Sequence, residues 1–521
     1  MYYQSLSSEL AAAHSVSRSK LARILSSPLT IVILAAILIV AINPIGYLGG
    51  RTDDWQYLQA ARCTAEQGFC YPEDHWWRRF AVVVPAGLAI RWFGETAVTV
   101  SIFPLLYSIA ATALFVRLVE RQFGRIEALF AGLVFVASPV VGDRILGMTI
   151  DMVELCFLFG SIFCLQSAHL RGRSWLFAPA GALLGLAILS RPTQLAMIPI
   201  FAAAFMIVPG WRRRAAPFVA GLLLPILSEA AFYVARFGDA LLPWKLSLAH
   251  TRIPSSELDP SVDLTQSPLF NVAFIDGWRP TMNVSVHWTV DALINLLLHP
   301  DLGLALIVTL MLIGLDGRQL RWADPRVRMV AFLIAASAAF FGALVFAFAI
   351  DPKPRMFMPI LAVACATFGF LGARRWRNDD RIFVAASLSL LLTLGAISSW
   401  DRINTSVIAS TAGEWVRAAP DDLASDTLAT ALLAMDPDVR RLAADDGSQS
   451  NLLSIGTNPC ARLIPDHSGW RVVRERVFAD QEPSFVTAMR KRRLLFYPKD
   501  HIVMCLIERS AGNRKPPSQM S

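Results

Sequence analysis

The sequence predicts a mainly α-helical protein that crosses a membrane many times and ends in a small α/β domain. Of its 521 residues, 55% are hydrophobic and 17% are charged, and the mean hydropathy is +0.48. A soluble protein of this size carries about 25% charged residues. Several stretches approach the roughly 20 apolar residues with which a helix crosses a bilayer. These observations predict a polytopic helix bundle.

The basic residues predict the topology of that bundle. The net charge of +8 lies in short Arg and Lys clusters between apolar stretches, as the positive-inside rule expects. Membrane topology therefore explains the basicity, and nucleic acid is not an expected partner. The clusters are residues 18–23, 117–125, 171–173, 212–214, 318–328 and 374–381. Placing all six in the cytoplasm predicts about 11 spans, with the N-terminus inside and the C-terminus outside.

The predicted spans set the division of the chain. They are 29–49, 96–117, 126–141, 151–170, 175–190, 192–209, 215–235, 291–315, 329–350, 356–373 and 381–400. Residues 1–28 form a cytoplasmic tail, and we expect the first span to be a retained signal anchor. Residues 29–400 form the bundle, with outer loops at 50–95 and 237–290. Residues 80–93 are too short and interrupted to span, which favours an interfacial helix.

Residues 401–521 differ in composition from the bundle and predict an extracytoplasmic α/β domain with a disordered end. Short apolar runs predict strands at 452–455, 494–497 and 502–507, with helices near 411–419 and 425–435.

The cysteines fit an oxidising outer face. Cys63 and Cys70 share the first outer loop, and Cys460 and Cys505 share the C-terminal region. Each pair is a candidate disulfide. Two unpaired thiols remain the alternative for the first pair, and the sequence does not show whether the second pair meets.

Two adjacent acids, Asp53 and Asp54, stand where the first span leaves the membrane. They precede a predicted amphipathic helix over 55–66. Asp53 is close to its N-cap, where backbone N–H groups stabilise a carboxylate, so capping alone is one interpretation. The other is catalysis, since a sugar transferase needs a carboxylate to take a proton from the acceptor hydroxyl.

A third acid, Asp151, begins the fourth span on the same side, and Glu154 follows on the same helical face. Acids at membrane depth are costly and are therefore functional candidates, and Asp151 is predicted to be catalytic together with Asp53 and Asp54. A helix N-cap remains the alternative role for Asp151.

Arginines at the predicted outer boundaries are the candidate anion contacts. Arg191 and Arg355 lie on the side from which the positive-inside rule excludes them, and Lys353 stands beside Arg355. Arg suits phosphate oxygens because its planar fork is permanently charged. Together with Arg79, these residues are predicted to bind a donor phosphate. Snorkelling to ordinary lipid headgroups is the alternative.

The histidines specify no metal site. His75, His250, His287 and His299 lie in or near the predicted outer loops, without a metal-ligand spacing. A divalent metal is possible, and no cofactor is certain. P-loop, dinucleotide-binding and nucleophile-elbow motifs are lacking from the sequence.

Together these residues resemble the GT-C superfamily of membrane glycosyltransferases, in the branch of protein O-mannosyltransferases and lipid A aminoarabinose transferases. The likeness rests on Asp53-Asp54, Trp77 to Pro85, residues 93–95, Ser138-Pro139 with Asp151, residues 189–193, Arg355 with Pro359, and residues 411–417. The chain departs from the family pattern at Asp54, where Glu is commoner. It also offers Arg78-Arg79 in place of a His-Pro-Pro or Arg-Pro-Pro run.

The resemblance implies an inverting transfer of sugar from a polyprenyl-phosphate donor to a lipid, polysaccharide or protein acceptor. Asp53 is then the general base and Asp54 its supporting acid, with Arg191 and Arg355 on the donor phosphate. The expected location is a bacterial-type inner membrane with the site facing outward, among membrane lipids. A transporter or flippase of an anionic substrate and a non-catalytic carrier-binding relative remain alternatives. Internal repeats, which transporters commonly show, are not evident.

Overall fold

The structure of the chain, a computed structural model, describes most of residues 26–400 and five strands beyond them. The described residues are 26–42, 52–70, 72, 75–142, 144–145, 147–251, 292–293, 296–297, 302–348, 354–378, 380–400, 415, 423–425, 443–444, 451–456, 470–478 and 502–509.

The described part of the first four hundred residues is mainly helical. The helices are α1 Pro28–Ile42, α2 Thr52–Gln67, α3 Phe80–Phe93, α4 Ala97–Gln122, α5 Arg125–Ala137, α6 Pro139–Gly142, α7 Asp151–Arg171, α8 Phe177–Ser190, α9 Met197–Ile207, α10 Ala215–Phe237, α11 Leu242–Thr251, α12 Gly303–Asp316, α13 Pro325–Gly342, α14 Met358–Arg377 and α15 Arg381–Trp400. Short 3-10 segments lie at Ser174–Leu176, Pro192–Ala196, Arg212–Arg214, Gly317–Gln319 and Pro354–Phe357, and a π-helical segment at Ala343–Ala347.

These helices coincide with the apolar runs of the sequence, because a backbone in hydrocarbon must satisfy its polar groups internally. A helix overlaps every predicted span. Among the described residues, five helices are long and apolar enough to cross a membrane, and five more are shorter apolar helices. A mainly helical membrane bundle is therefore confirmed, while the number of crossings stays a prediction.

Helix α14 lies at the centre of the bundle. Almost all of its residues from Met358 to Ala373 are buried. It packs closely on α5, where a Cβ on Gly369 would collide with the carbonyl oxygen of Glu127. A helix that is apolar on every side is expected in such a central position.

Helices α8 and α10 cross at unusually short range through glycines. A Cβ on Gly181 would collide with the backbone of Phe218, and one on Gly221 would collide with the backbone of Ala178. Small residues let helix backbones approach in a membrane. The crossing is relevant to function because α8 ends at Ser190, immediately before Arg191, and α10 carries Glu229.

The first predicted outer loop folds into two packed helices. Tyr57, Leu58 and Ala61 of α2 are buried against Val82 and Val83 of α3. The prediction for the start of α2 was wrong by a few residues, since the helix begins at Thr52 rather than 55. Asp53 is consequently the second helical residue, two positions after the cap. Acids in the first turn favour such an early start because of the helix dipole.

A disulfide and an ion pair fix the end of α2. Cys63 and Cys70 are disulfide-bonded, which settles the choice between a disulfide and free thiols. Arg62 donates from Nε and Nη2 to Glu95 at 2.8 and 2.6 Å. Cys505 is also disulfide-bonded, and Cys460, its predicted partner, lies outside the described residues. An oxidised pair in this loop is consistent with an oxidising compartment.

The C-terminal region contains a five-stranded mixed sheet in the order β2-β1-β3-β5-β4. The strands are β1 Leu423–Ser425, β2 Ala443–Ala444, β3 Asn451–Gly456, β4 Trp470–Phe478 and β5 Ile502–Arg509. Strands β3 and β5, which pair antiparallel, confirm the predictions at 452–455 and 502–507. The predicted strand at 494–497 and helices at 411–419 and 425–435 lie outside the described residues, apart from Trp415, which is helical.

Candidate active site

The first turn of helix α7 contains two acids that are buried in the interior of the protein. Asp151 is the first helical residue and Glu154 lies on the same face; their side chains are 1% and 0% exposed. The cap position belongs to Ile150, so Asp151 is not the N-cap. The helix dipole helps to stabilise carboxylates in a first turn, but acids buried this deeply also require cationic partners.

Arg191 supplies that partner from the end of α8. Its extended backbone lies just before Pro192, which ends the helix. The guanidinium donates from Nη1 to Glu154 Oε1 at 2.8 Å and from Nη2 to Asp151 Oδ1. Arg191 therefore connects both acids, and both of these predicted site residues, Asp151 and Arg191, lie in one cluster.

Two further arginines approach the same acid. Arg144, which precedes α7, places Nε 3.6 Å from Asp151 Oδ2 and is itself buried. Arg355, at the start of α14, lies within electrostatic range of Asp151. The structure thus brings Arg355 to the same end of the bundle as Asp151 and Arg191. Its predicted neighbour Lys353 lies outside the described residues.

Arg79 is the cation of this site that forms no ion pair with an acid among the described residues. It precedes α3, is 5% exposed and donates only a long hydrogen bond, from Nη1 to the carbonyl oxygen of Leu189 at 3.4 Å. Its Nε has no hydrogen-bond partner, and within the described ranges no carboxylate pairs with it. Burial, and then the neighbouring charge of Arg78, lower the pKa of Arg79 to about 10. It therefore remains a cation at neutral pH.

Tyr57 connects this cluster to the helix that begins with the two predicted catalytic acids. Its side chain is buried and lies within electrostatic range of both Arg79 and Arg191. Residues four apart share a helical face, so the backbone of α2 puts Asp53 on the same face as Tyr57. The side chains of Asp53 and Asp54 lie outside the described part of the chain.

The charges of this site favour an anionic ligand. Among the side chains that the structure describes, Arg144 and Arg191 match Asp151 and Glu154 in charge, and Arg79 adds a buried guanidinium beyond that balance. A charge buried without a partner is costly, and phosphate oxygens are suitable partners for a guanidinium fork. Chemically, the cluster can bind a phosphate and stabilise negative charge that develops on it.

A resident metal has little support from the described residues. His75 is buried and its ring lies 4.0 Å from that of Trp76. No group of three His, Cys, Asp or Glu residues that could bind a metal occurs among the residues described. The side chains of His250, His287 and His299 are outside them, so the predicted possibility of a divalent metal stays open.

Arg144, Glu229 and the role of Arg78 were not predicted from the sequence. Glu229 lies within the apolar helix α10 and is 7% exposed, so the rule that acids at membrane depth are functional candidates identifies it. Arg144 follows an apolar stretch on the predicted outer side, where the argument applied to Arg191 also selects it. No sequence signal shows which acid each arginine meets.

Comparison with known proteins agrees with the fold. Residues 84–231 match the model of the dolichyl-phosphate-mannose-protein mannosyltransferase family. The chain is similar in structure to ArnT from Cupriavidus metallidurans bound to undecaprenyl phosphate, with a TM-score of 0.54 and 12% sequence identity over 92% of this chain and 97% of that one. No curated protein matches the chain by sequence.

Two further structures have TM-scores of 0.49. The apo state of the same ArnT is 12% identical and covers 91% of this chain and 97% of its own. The oligosaccharyltransferase of Archaeoglobus fulgidus, in complex with Zn and sulfate, is 13% identical and covers 81% of this chain and 67% of its own. The resemblance inferred from the sequence is confirmed at the level of the fold: the chain has the GT-C fold of membrane glycosyltransferases.

Proposed function

We propose that the chain is an inverting glycosyltransferase that takes a sugar from a polyprenyl-phosphate-linked donor on the outer face of the membrane. The observation that carries the proposal is Arg79, a buried guanidinium without a carboxylate partner among the described residues. It lies beside the helix that begins with Asp53-Asp54. The fold and the mannosyltransferase match support the same reaction class.

In the proposed reaction, the donor phosphate binds between Arg79 and the arginines held by Asp151 and Glu154. Asp53 takes the proton of the acceptor hydroxyl, whose oxygen forms a bond to the anomeric carbon. The bond between that carbon and the phosphate oxygen breaks at the same time, which inverts the anomeric centre. The carrier leaves as a phosphate monoester with one additional negative charge, next to Arg79.

The arrangement of charges suits this step better than simple binding of the donor. The phosphate gains charge as the bond to the sugar breaks, so preorganised cations stabilise the transition state more than the ground state. Asp151 and Glu154 fix the orientation of Arg191 before substrate arrives. In this proposal they are positioning residues, and Arg355 and Lys353 are additional phosphate contacts. The acceptor is a hydroxyl of a lipid, polysaccharide or protein.

The test is transfer of labelled sugar from a panel of polyprenyl-phosphate donors in membranes that contain wild type or Asp53→Asn. We expect Asp53→Asn to lower kcat by about 100-fold or more, the usual contribution of a general base. Asp239→Asn is the matched control, since Asp239 is an outer-side acid whose ion pair with Lys245 is solvent-exposed. It should transfer sugar like wild type.

Equal transfer by wild type and Asp53→Asn would remove Asp53 from the mechanism. Wild-type membranes that bind polyprenyl phosphate but move no sugar from any donor in the panel would favour the carrier-binding alternative.

A further inference from the structure

Arg78 is buried more completely than its neighbour Arg79 and has a different set of contacts. Its side chain is 0% exposed. Nη1 donates to the carbonyl oxygen of Pro243 at 2.5 Å and to Ser247 Oγ at 2.9 Å. Both partners belong to α11, the helix at the beginning of the predicted outer loop 237–290.

Two further groups surround the same guanidinium. Glu229 Oε2 of α10 lies 3.8 Å from Nη2, and the Trp244 ring of α11 lies under the guanidinium carbon at 5.1 Å. Desolvation by burial lowers the pKa of Arg78, and Glu229 opposes part of that effect. Its charge is therefore compensated within the protein, in contrast to that of Arg79, so Arg78 is not a candidate for binding the donor.

The backbone next to Arg78 is the turn that carries Arg79. Arg79 N donates to Trp76 O at 3.1 Å, Phe80 N donates to Arg78 O at 2.8 Å, and Val83 N donates to Arg79 O at 2.9 Å. These hydrogen bonds join residues 76–80 to the first turn of α3. A displacement of the Arg78 side chain therefore shifts the peptide on which Arg79 stands.

We propose that Arg78 is a positioning residue that joins α11, at the start of the outer loop, to the turn that presents Arg79 to the donor phosphate. The inference rests on the proposed function for the identity of the ligand. The joint itself consists of three elements that meet at one guanidinium: the turn before α3, helix α10 through Glu229 and helix α11 through Pro243, Trp244 and Ser247. Order in α11 and occupancy of the phosphate site are then coupled.

The joint is tested by hydrogen exchange on the full chain in detergent, at residues 76–80 and 242–251. The variant is the double substitution Arg78→Gln with Glu229→Gln, which removes both charges and leaves neither one buried alone. We expect both segments to exchange at least roughly tenfold faster than in wild type, because hydrogen bonds from a charged donor are the stronger class. Ser247→Ala, which removes one contact on α11, should give a smaller effect in the same two segments.

Lys245→Gln is the matched control in the same helix. It removes an ion pair with Asp239, but that pair is solvent-exposed and does not touch Arg78. It should leave exchange in both segments at the wild-type rate. Faster exchange in only one segment of the double variant, or in neither, would contradict the proposed connection between the turn before α3 and helix α11 through Arg78.

Coupling to the site is measured with a polyprenyl phosphate that carries no sugar. We expect this lipid to slow hydrogen exchange at residues 242–251 in wild type and to slow it less in the double variant. The double variant should also bind the lipid at least roughly tenfold more weakly. In transfer assays the donor KM should rise and kcat should fall with it, because Arg79 stabilises the charge that develops on the phosphate. Wild-type affinity in a double variant with a loosened α11 would overturn the coupling. A wild type that binds no polyprenyl phosphate would contradict the proposed donor, while the exchange data still decide the joint.

Discussion

Each arginine of the site has a different set of partners, and these partners indicate its role. Arg191 is balanced by Asp151 and Glu154, and Arg78 by Glu229. Arg79 has a long hydrogen bond to a carbonyl oxygen and no ion pair among the described residues. A paired arginine stabilises the fold as long as its acids are present. An unpaired buried arginine costs stability until an anion arrives, so we expect substitutions of the two kinds to have opposite effects.

Arg79→Gln should leave the free energy of unfolding unchanged or raise it slightly, because it removes a desolvated charge. Its affinity for a polyprenyl phosphate should fall roughly 10- to 100-fold, since a hydrogen bond from a charged group contributes about 1.5–3 kcal/mol. Thermal unfolding in detergent and titration with the lipid measure the two quantities. Wild-type affinity in this variant would exclude Arg79 from the phosphate site.

Arg191→Gln should lower the free energy of unfolding by about 3–5 kcal/mol, because Glu154 loses its cation and Asp151 loses the closer of its cations. The same unfolding assay measures the loss. The double substitution Asp151→Asn with Glu154→Gln, made in the Arg191→Gln background, removes those charges and should recover part of the stability. A stable Arg191→Gln single variant would show that Arg144 alone compensates both acids.

The pairing of Asp151 with Arg191 illustrates how far the sequence predicts a site. Both residues were found as separate features, an acid at a helix start and an arginine on the wrong side of the membrane. Their contact depends on the packing of α7 against α8, which juxtaposes residues forty positions apart. Periodicity describes one element at a time, so it selects the members of the cluster and not their partners.

At the scale of elements, the packing of α8 on α10 determines the distance between Arg191 and Glu229. Glycines allow the two backbones to approach, and the collisions that a Cβ would cause are with backbone atoms, which cannot rotate away. Helix α8 ends immediately before Arg191, and α10 carries Glu229, which pairs with Arg78. Any separation of the two helices therefore changes the geometry on both sides of Arg79.

Gly181→Ala should consequently lower both stability and donor affinity. Overpacking of a well-filled interface costs about 1–3 kcal/mol, which thermal unfolding in detergent measures. Gly314→Ala is the control, since a Cβ on this helical glycine meets nothing within 4 Å; it should be neutral or stabilising. Equal thermal stability of Gly181→Ala and wild type would contradict the close crossing.

The elements themselves were predicted with uneven success, for physical reasons. Apolar runs long enough to span a membrane identified the helices of the bundle, and short apolar runs identified β3 and β5. Strand β4 was missed because Arg471 to Val477 are all exposed at the edge of the sheet. An edge strand with charges on both faces lacks the alternation by which strands are recognised.

At the scale of the whole molecule, the site and the basic clusters that the structure describes lie at opposite ends of the helices. Helix α7 has Asp151 at its start and Arg171 at its end; at 21 residues it is roughly 31 Å long, about the thickness of the hydrocarbon core. The disulfide Cys63–Cys70 follows α2 toward the site end. The positive-inside rule and the oxidised cysteines thus both favour the proposed outward orientation of the site.

This orientation predicts which positions a membrane-impermeant maleimide can reach in intact cells. Lys245→Cys, exposed in α11 beside the site, should be labelled from outside. Arg213→Cys, exposed in the basic turn between α9 and α10, should be labelled only after permeabilisation. Wild type controls for the unpaired Cys156, Cys164 and Cys365, which are half-buried or buried. The reverse pattern would put the donor phosphate on the cytoplasmic side, where a reducing environment provides no reason for the Cys63–Cys70 disulfide. Transfer on the outer face would then be excluded even if Asp53 and Arg79 prove essential, because the acceptor would have to be cytoplasmic.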